Sequence, residues 1–150
     1  MKEQAAILLV EDTDSDAELT AMAFEEAEIG NPVVRVRDGV EALDYLFGRG
    51  RYSGRDCKEV PAVVLLDLNL PRLNGIEVLK TIRADDALKR LLVVVLTSSA
   101  EDKDRLAAYE HYANSYIQKP VDFDRFVEYS RRLGHYWLMM NVPPPQLAAG

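Results

Sequence analysis

The chain has 150 residues, enough for one domain with a single sizeable core, and its 48% hydrophobic content is ordinary for a globular protein. A net charge of −7 argues against a nucleic-acid-binding surface. The single cysteine, Cys57, excludes an internal disulfide, and no apolar run reaches the roughly 18 residues that a membrane span needs. We therefore expect a cytoplasmic protein whose partners are neither nucleic acid nor membrane.

Five short apolar runs divide the chain, at residues 5–10, 33–36, 62–67, 91–97 and 115–119. Their continuous hydrophobicity, without strict alternation, is typical of strands that are covered on both faces. Segments with helical spacing lie between these runs and after the last one. The alternation predicts a doubly wound α/β fold, a five-stranded parallel sheet with helices on both faces. We assign this domain to residues 1–140 and expect a Pro-rich C-terminal tail at residues 141–150.

Local spacing also predicts how the first two helices begin. Ser15 and Glu18 have the spacing of a capping box at the start of the first helix. Leu19, Met22, Ala23 and Ala27 would then lie together on the apolar side of this helix. In the second helix, Asp38 is the expected N-terminal cap.

The polar residues that follow the predicted strands are the main functional signal. In a doubly wound sheet, ligands bind at the carboxyl ends of the strands, where such side chains converge. Four strand ends supply three carboxylates, a hydroxyl group and an ammonium group. They belong to Glu11, Asp12, Asp67, Thr97 and Lys119.

Each strand-end residue has an ordinary structural explanation when it is taken alone. Glu11 and Asp12 could be a helix-capping or solvated pair. Thr97 could cap a helix, Asp67 could occupy a surface turn, and Pro120 could end a strand. Their occurrence together, at the corresponding ends of four strands, favours one shared site.

The residue types indicate phosphate chemistry. Three carboxylates in one crevice repel each other, and a divalent cation removes that repulsion. Oxygen ligands without histidine or cysteine favour a hard ion, Mg²⁺ first. Magnesium attracts phosphate, and the Lys119 ammonium and the Thr97 hydroxyl can bind phosphoryl oxygens. Asp67 lies on the central strand and is the candidate nucleophile, because aspartate can accept a phosphoryl group as an acyl phosphate.

Four motifs resemble the receiver domain of bacterial two-component response regulators, namely LVED, LLDLNLPRLNG, VVVLTSSA and YIQKPV. The resemblance covers residues 5 to 135 and implies a flavodoxin-like receiver fold with strand order 2-1-3-4-5. It implies that a sensor histidine kinase phosphorylates Asp67. The protein would assist its own phosphorylation and dephosphorylation but would not be an enzyme acting on another substrate.

The same resemblance implies a role for each residue of the site. Thr97 and Tyr116 match the switch pair, in which the hydroxyl moves toward the phosphoryl group and the aromatic ring turns inward. Lys119 matches the lysine that contacts a phosphoryl oxygen, and Pro120 matches a proline usually held in cis. The fourth helix, fifth strand and fifth helix would form the output surface. The implied ligands of Mg²⁺ are Glu11, Asp12, Asp67 and the backbone carbonyl of Asn69.

Three features together resemble the single-domain response regulators that partner phytochromes. They are the long loop before the third strand, the stretch ANSYIQKPVDFDRF and the stretch HYWLMM. This narrower resemblance implies a phytochrome kinase partner and a homodimer formed through the output surface. Tyr136, Trp137 and Leu138 are too apolar for a solvated helix end and predict an interface, although Trp137 could instead fold back on its own core. Because 31 residues follow Lys119, we expect a stand-alone receiver without an output domain.

Two other functions compete with this interpretation. A phosphohydrolase of the haloacid-dehalogenase type also forms an aspartyl phosphate, but it would need a second acid two residues after the nucleophile. This chain has Asn69 at that position, and its nucleophile is on the third strand instead of the first. A receiver-like platform would bind partners without taking phosphate, and the complete set of site residues argues against it.

Overall fold

The computed structural model describes residues 5–56, 59–119 and 122–135, and these contain one five-stranded sheet. Its strands are β1 (Ile7–Val10), β2 (Val33–Val36), β3 (Val63–Leu66), β4 (Val93–Thr97) and β5 (Ser115–Gln118). Their order is β2-β1-β3-β4-β5, and every neighbouring pair is parallel. The doubly wound α/β fold and its strand order are therefore confirmed.

Helices cover both faces of the sheet. They are α1 (Asp14–Glu26), α2 (Gly39–Phe47), α3 (Gly75–Ala84), α4 (Asp102–Glu110) and α5 (Phe123–Leu133). Helices α1 and α5 pack together on one face, and the other three cover the opposite face. A short 3₁₀ helix (Gly50–Tyr52) lies in the loop between α2 and β3. Across the described ranges, every helix is too short or too polar to cross a membrane.

The central strands supply two hydrophobic layers, because successive residues of a strand point to opposite faces. Leu8 and Val10 of β1 pack with side chains of α2, α3 and α4. Ile7 and Leu9 of the same strand pack on the other face with Phe24 of α1. All residues of β1, β3 and β4 are buried, which explains why these strands are almost continuous apolar runs in the sequence.

The predicted start of α1 is wrong, and only Ala23 and Ala27 of its predicted apolar side are buried. The helix begins at Asp14 after Thr13, whose side chain makes no capping hydrogen bond, so Ser15 lies within the first turn. Leu19 and Met22 are 38% and 56% exposed. Mostly small side chains face inward instead, and they let the helix backbone approach the sheet closely. The buried residues of α1 are Ala17, Thr20, Ala23 and Phe24.

Gly75 allows α3 to begin directly beside the end of β3. A Cβ atom at this position would lie 2.3 Å from the backbone oxygen of Asp67 and 2.6 Å from the Cα atom of Leu68, which is too close for any side chain. The preceding residue, Asn74, caps α3 by accepting a 3.0 Å hydrogen bond from the backbone N–H of Glu77. The Asn-Gly pair therefore fixes α3 against the strand end that carries Asp67.

Asp38 ties the loop between β3 and α3 to the start of α2. As predicted, Asp38 caps α2, because its side chain accepts a 2.7 Å hydrogen bond from the backbone N–H of Glu41. Its two oxygens also accept hydrogen bonds from Nε and Nη2 of Arg72, each at 3.0 Å. Arg72 has a φ of 65°, in the left-handed region that residues other than glycine rarely adopt. The forked ion pair thus holds a strained turn near Asp67 in the sequence.

Arg83, near the C-terminal end of α3, joins three segments at the amino-terminal edge of the sheet. Burial lowers the pKa of its guanidinium group, and carbonyl oxygens at the end of α4 supply partial negative charge that stabilises the cation. Hydrogen bonds of 2.6–3.2 Å connect Arg83 with the backbone oxygens of Lys89, Leu91, His111 and Tyr112 and with the side-chain oxygen of Asn114.

We expect Arg83→Met to lower the free energy of unfolding by about 2–4 kcal/mol, because part-buried acceptors lose a charged donor while the aliphatic stem remains. Arg90→Met is the matched control. Arg90 is exposed and donates a 3.4 Å hydrogen bond to the backbone oxygen of Asp86, so its replacement should cost less than about 0.5 kcal/mol. Urea denaturation measures both values, and equal losses in the two variants would contradict the role given to Arg83.

Candidate functional site

Four strand ends meet at the carboxyl edge of the sheet and bring the predicted residues together. Glu11 directly follows β1, Asp67 follows β3, and Thr97 is the last residue of β4. These three residues are 1%, 5% and 0% exposed. Lys119 follows β5, and its backbone N–H donates a 2.7 Å hydrogen bond to the backbone oxygen of Thr97. The parallel register of the strands therefore creates one mostly buried polar pocket.

Both carboxylate oxygens of Asp67 accept hydrogen bonds. The Thr97 hydroxyl donates to Oδ1 at 2.8 Å, and the backbone N–H of Asn69 donates to the same atom at 3.0 Å. The Lys119 ammonium donates to Oδ2 at 3.2 Å. These donors fix the orientation of a carboxylate that would otherwise be costly to bury.

Lys119 lies among three carboxylates. Its Nζ atom is 2.7 Å from Oε1 of Glu11, 2.8 Å from Oδ2 of Asp16 and 3.2 Å from Oδ2 of Asp67. The three acceptors match the three N–H donors of an ammonium group. The lysine side chain is 14% exposed, so this cation is held well inside the pocket.

The pKa values of Glu11 and Lys119 respond to burial in opposite ways. Burial raises the pKa of Glu11 to about 7, although its hydrogen bond with Lys119 acts in the opposite direction. Burial by itself would lower the pKa of Lys119. Hydrogen bonds with Asp16 and Glu11 and the charge of Asp67 outweigh this effect and raise the pKa of Lys119 above its ordinary value. Lys119 is therefore a permanent cation in the pocket.

Asp12 completes an acidic cluster at the mouth of the pocket. It is exposed, and one carboxylate oxygen from each of Glu11, Asp12 and Asp67 lies within 4.8 Å of the others. Three oxygen donors at this spacing suit a hard divalent cation that keeps some of its water. Asn69 is also at this edge, where its side-chain amide donates a 3.4 Å hydrogen bond to the Ser98 hydroxyl.

A chain of hydrogen bonds links Thr97 to the start of α4. The backbone N–H of Ser99 donates to the Thr97 hydroxyl at 3.3 Å, and the Ser99 hydroxyl donates to Asp104 of α4 at 2.6 Å. The Tyr116 hydroxyl donates to the backbone oxygen of Ser99 at 3.1 Å, and burial raises the pKa of this tyrosine. The Tyr116 ring is tilted against Tyr109, with 6.5 Å between their centroids. Residues from β4, β5 and α4 thus contact one another next to Asp67.

Some predicted residues lie outside the described ranges. These are Pro120, the proposed cis-proline, and the interface residues Tyr136, Trp137 and Leu138. The tail at residues 141–150 also lies outside them, so the proposed domain boundary stays a prediction.

Two residues that support the pocket, Asp16 and Arg35, were not predicted from the sequence. Asp16 lies in the first turn of α1, and its place near the same mouth could have been inferred once the start of α1 was known. Arg35 of β2 donates from Nε to the backbone oxygen of Glu11 at 3.0 Å and from Nη1 to Asp14 at 2.6 Å. No sequence signal pointed to Arg35, because its contacts depend on the pairing of β2 with β1.

The chain matches the family profile of the response regulator receiver domain over residues 7–131. The match covers all five strands and nearly all of the five helices described above. The chain therefore belongs to the response regulator receiver family.

Relatives in this family span nearly the whole chain. The probable methanogenesis regulatory protein FilR2 of Methanothrix harundinacea is 40% identical over 138 residues, which cover 92% of this chain and 86% of FilR2. The response regulator Rcp1 of Synechocystis is 36% identical over 132 residues, which cover 88% of each protein. Both alignments therefore span most of this chain and most of each relative.

Solved structures place the chain more narrowly. The Mn²⁺-bound form of Rcp1 matches with a TM-score of 0.81 and 34% identity, covering 94% of this chain and 99% of that one. The phosphorylated cyanobacterial phytochrome response regulator RcpA matches with a TM-score of 0.83 and 36% identity, covering 95% and 99%. The bacteriophytochrome response regulator RtBRR matches with a TM-score of 0.78 and 46% identity, covering 95% and 85%. Within the receiver family, the chain is thus related to the phytochrome response regulators.

We expect Arg35→Met to loosen the loop that carries Glu11 and Asp12 and to lower the free energy of unfolding by about 1–2 kcal/mol, because a part-buried carbonyl and Asp14 lose a charged donor. Amide hydrogen exchange of residues 11–14 and urea denaturation measure these effects. Arg37→Met is the matched control, since Arg37 is 60% exposed and its guanidinium donates a 2.8 Å hydrogen bond to Asp14 without contacting the backbone of Glu11 among the described contacts. Equal exchange in both variants would show that Arg35 does not brace this loop.

Proposed function

We propose that this protein is a phosphoacceptor of a two-component phosphorelay, in which Asp67 receives a phosphoryl group from a sensor histidine kinase. The observation that carries the proposal is the environment of Asp67. Its carboxylate is nearly buried at the end of the central strand, has hydrogen-bond donors on both oxygens, and faces two further carboxylates that suit a divalent ion. The match with the phosphorylated regulator RcpA supports the proposal.

The transfer needs little covalent chemistry from the protein. One oxygen of Asp67 forms a bond with phosphorus while the phosphorus–nitrogen bond of a phosphohistidine breaks, and the electron pair leaves with the imidazole nitrogen. Thr97 and Lys119 already contact the carboxylate and lie where they can donate to the oxygens of the new phosphoryl group. These two side chains would orient and stabilise the acyl phosphate, and the protein would act on no other substrate.

The oxygen-only donor set fits Mg²⁺. Glu11, Asp12 and Asp67 would hold the ion, together with the backbone carbonyl of Asn69. When bound, the ion would neutralise negative charge that develops during transfer. The Mn²⁺-bound structure of Rcp1 supports a divalent ion of this class in a related receiver. Lys119 now contacts two of these three carboxylates and would share them with the ion.

The hydrogen bonds around Ser99 suggest how a phosphoryl group would reach the surface. Movement of the Thr97 hydroxyl toward phosphate would remove the acceptor of the Ser99 backbone N–H. Ser99 also holds Asp104 and Tyr116, so the start of α4 and the ring on β5 would respond together. The α4-β5-α5 surface is therefore the proposed output surface.

The relatives favour a phytochrome kinase as the partner. RcpA and RtBRR are described as phytochrome response regulators, and both cover 95% of this chain. FilR2, in contrast, is described as a probable methanogenesis regulatory protein. We propose a light-regulated sensor histidine kinase as the phosphodonor.

The exposed side chains of α4 support a homodimer through α4-β5-α5. Leu106 is 61% exposed and Tyr109 is 50% exposed, one helical turn apart, and Tyr112 just beyond the helix is 75% exposed. Neighbouring apolar side chains on one surface favour an interface with a second copy of the chain.

We expect incubation with Mg²⁺ and acetyl phosphate to add about 80 Da to the wild-type chain, the mass of one phosphoryl group. Asp67→Asn should gain no mass, because an amide cannot form the acyl phosphate. Intact mass spectrometry measures both. A wild-type protein that stays unmodified would favour the phosphorylation-independent platform, and turnover of unrelated phosphate esters would favour the phosphohydrolase.

We expect Leu106→Glu to shift the protein from dimer toward monomer, because it places a charge within the proposed apolar interface. Sedimentation velocity measures the change over a range of protein concentrations. Met22→Glu is the matched control, since Met22 is 56% exposed on α1, outside the proposed interface. If Leu106→Glu sediments like wild type, or if Met22→Glu dissociates equally, α4 is not the interface.

A further inference from the structure

Asp16 is not among the proposed metal ligands, yet it holds Lys119 closely. Its Oδ2 atom lies 2.8 Å from Nζ, nearly as close as Glu11 at 2.7 Å and closer than Asp67 at 3.2 Å. Because an ammonium group has three N–H donors, these three carboxylates use all of them. The cation therefore lies nearer to the acids of β1 and α1 than to the phosphoacceptor.

A phosphoryl group on Asp67 would change this balance. It brings three acceptor oxygens beside the ammonium group and has about −2 of charge where the carboxylate had −1. Lys119 can bind one of these oxygens only if it gives up one of its present hydrogen bonds. The side chain of Glu11 is 2% exposed, whereas that of Asp16 is 39% exposed. Water can solvate Asp16 after Lys119 leaves but cannot easily solvate Glu11, so of the two bonds to acids other than the phosphoacceptor, the bond to Asp16 exchanges more easily.

We propose that Asp16 is a positioning residue that holds the ammonium group of Lys119 toward α1 in the unphosphorylated protein and thereby slows phosphorylation of Asp67. The inference rests on the proposed function and deepens it by adding a control on its rate. Asp16 acts through Lys119 and need not touch the phosphoryl group.

The helix gives Asp16 a fixed position for this role. It lies in the first turn of α1, and its backbone oxygen accepts a 3.0 Å hydrogen bond from the Thr20 hydroxyl one turn later. Glu18 is on the same helix but is exposed, so its neutralisation removes an equal charge from α1. Comparison of Asp16→Asn with Glu18→Gln therefore separates the contact with Lys119 from a general change in charge.

The first measurement is the rate of phosphorylation by acetyl phosphate with Mg²⁺, followed by intact mass. We expect Asp16→Asn to react roughly three- to tenfold faster than wild type. In this variant the partly exposed carboxylate of Asp16 no longer competes with the phosphoryl group for Lys119 through a charge-assisted hydrogen bond. Glu18→Gln should stay within about twofold, since exposed charges at a distance are screened. Asp16→Glu keeps a carboxylate on the same turn and should restore a rate close to wild type. A rate for Asp16→Asn equal to that of Glu18→Gln would overturn the proposal.

The second measurement repeats the comparison in a Lys119→Met background. If Asp16 acts through Lys119, Asp16→Asn should now change the rate no more than Glu18→Gln does. An undiminished acceleration would show that Asp16 acts directly on phosphate, and this result would also overturn the proposal.

A third measurement does not depend on phosphate. The ammonium signal of Lys119 in the ¹H–¹⁵N NMR spectrum is the one that Lys119→Met removes. We expect Asp16→Asn to shift this signal and to speed its exchange with water, while Glu18→Gln leaves it unchanged. An unchanged signal in Asp16→Asn, together with normal phosphorylation of wild type, would overturn the role of Asp16 alone. A wild-type protein that takes no phosphate would instead overturn the proposed function. The proposed control of the phosphorylation rate by Asp16 would then fall as well.

Discussion

The ammonium group of Lys119 is the cation on which the arrangement of the pocket depends. It contacts carboxylates that follow β1 and β3 and one in the first turn of α1, while its own backbone follows β5. Glu11 is almost completely buried, and an unpaired charge there would destabilise the fold strongly. One side chain therefore makes it possible for several acids to remain together at the edge of a hydrophobic core, where they are available for the proposed metal ion and phosphoryl group.

The rest of the fold holds these acids at fixed positions. The central strands are buried on both faces, so polar chemistry is confined to the strand ends and the loops that follow them. Each loop is braced by a separate contact. Gly75 brings α3 against the end of β3, Asp38 holds the turn at Arg72, and Arg35 holds the backbone of Glu11. The pocket is thus rigid on the side of β1 and β3. On the side of β4 and β5, Thr97, Ser99 and Tyr116 depend on hydrogen bonds that a new acceptor could replace.

The sheet and the residues at its edge could be predicted because both follow from order along the chain. A buried parallel strand leaves a continuous apolar run, and the residue after it must lie at the carboxyl edge. Contacts that depend on the rotation of a helix could not be predicted in this way. The first helix begins at Asp14, and the inward face has small residues instead of Leu19 and Met22. Because the predicted start of α1 was wrong, the direction of Asp16 was also hidden. Arg35 was missed because a single arginine on an edge strand has no local pattern that reveals its partner.

The hydrogen bond between Lys119 and Glu11 joins residues 108 positions apart in the chain. During synthesis, every acid of the pocket leaves the ribosome long before the lysine that balances them. Until β5 joins the edge of the sheet, those acids lack their permanent cation and repel one another. The finished pocket is therefore a property of the completely folded receiver domain. A partly synthesised or partly unfolded chain has Asp67 but lacks the contacts that surround it, so only completely folded molecules could take part in the proposed phosphotransfer.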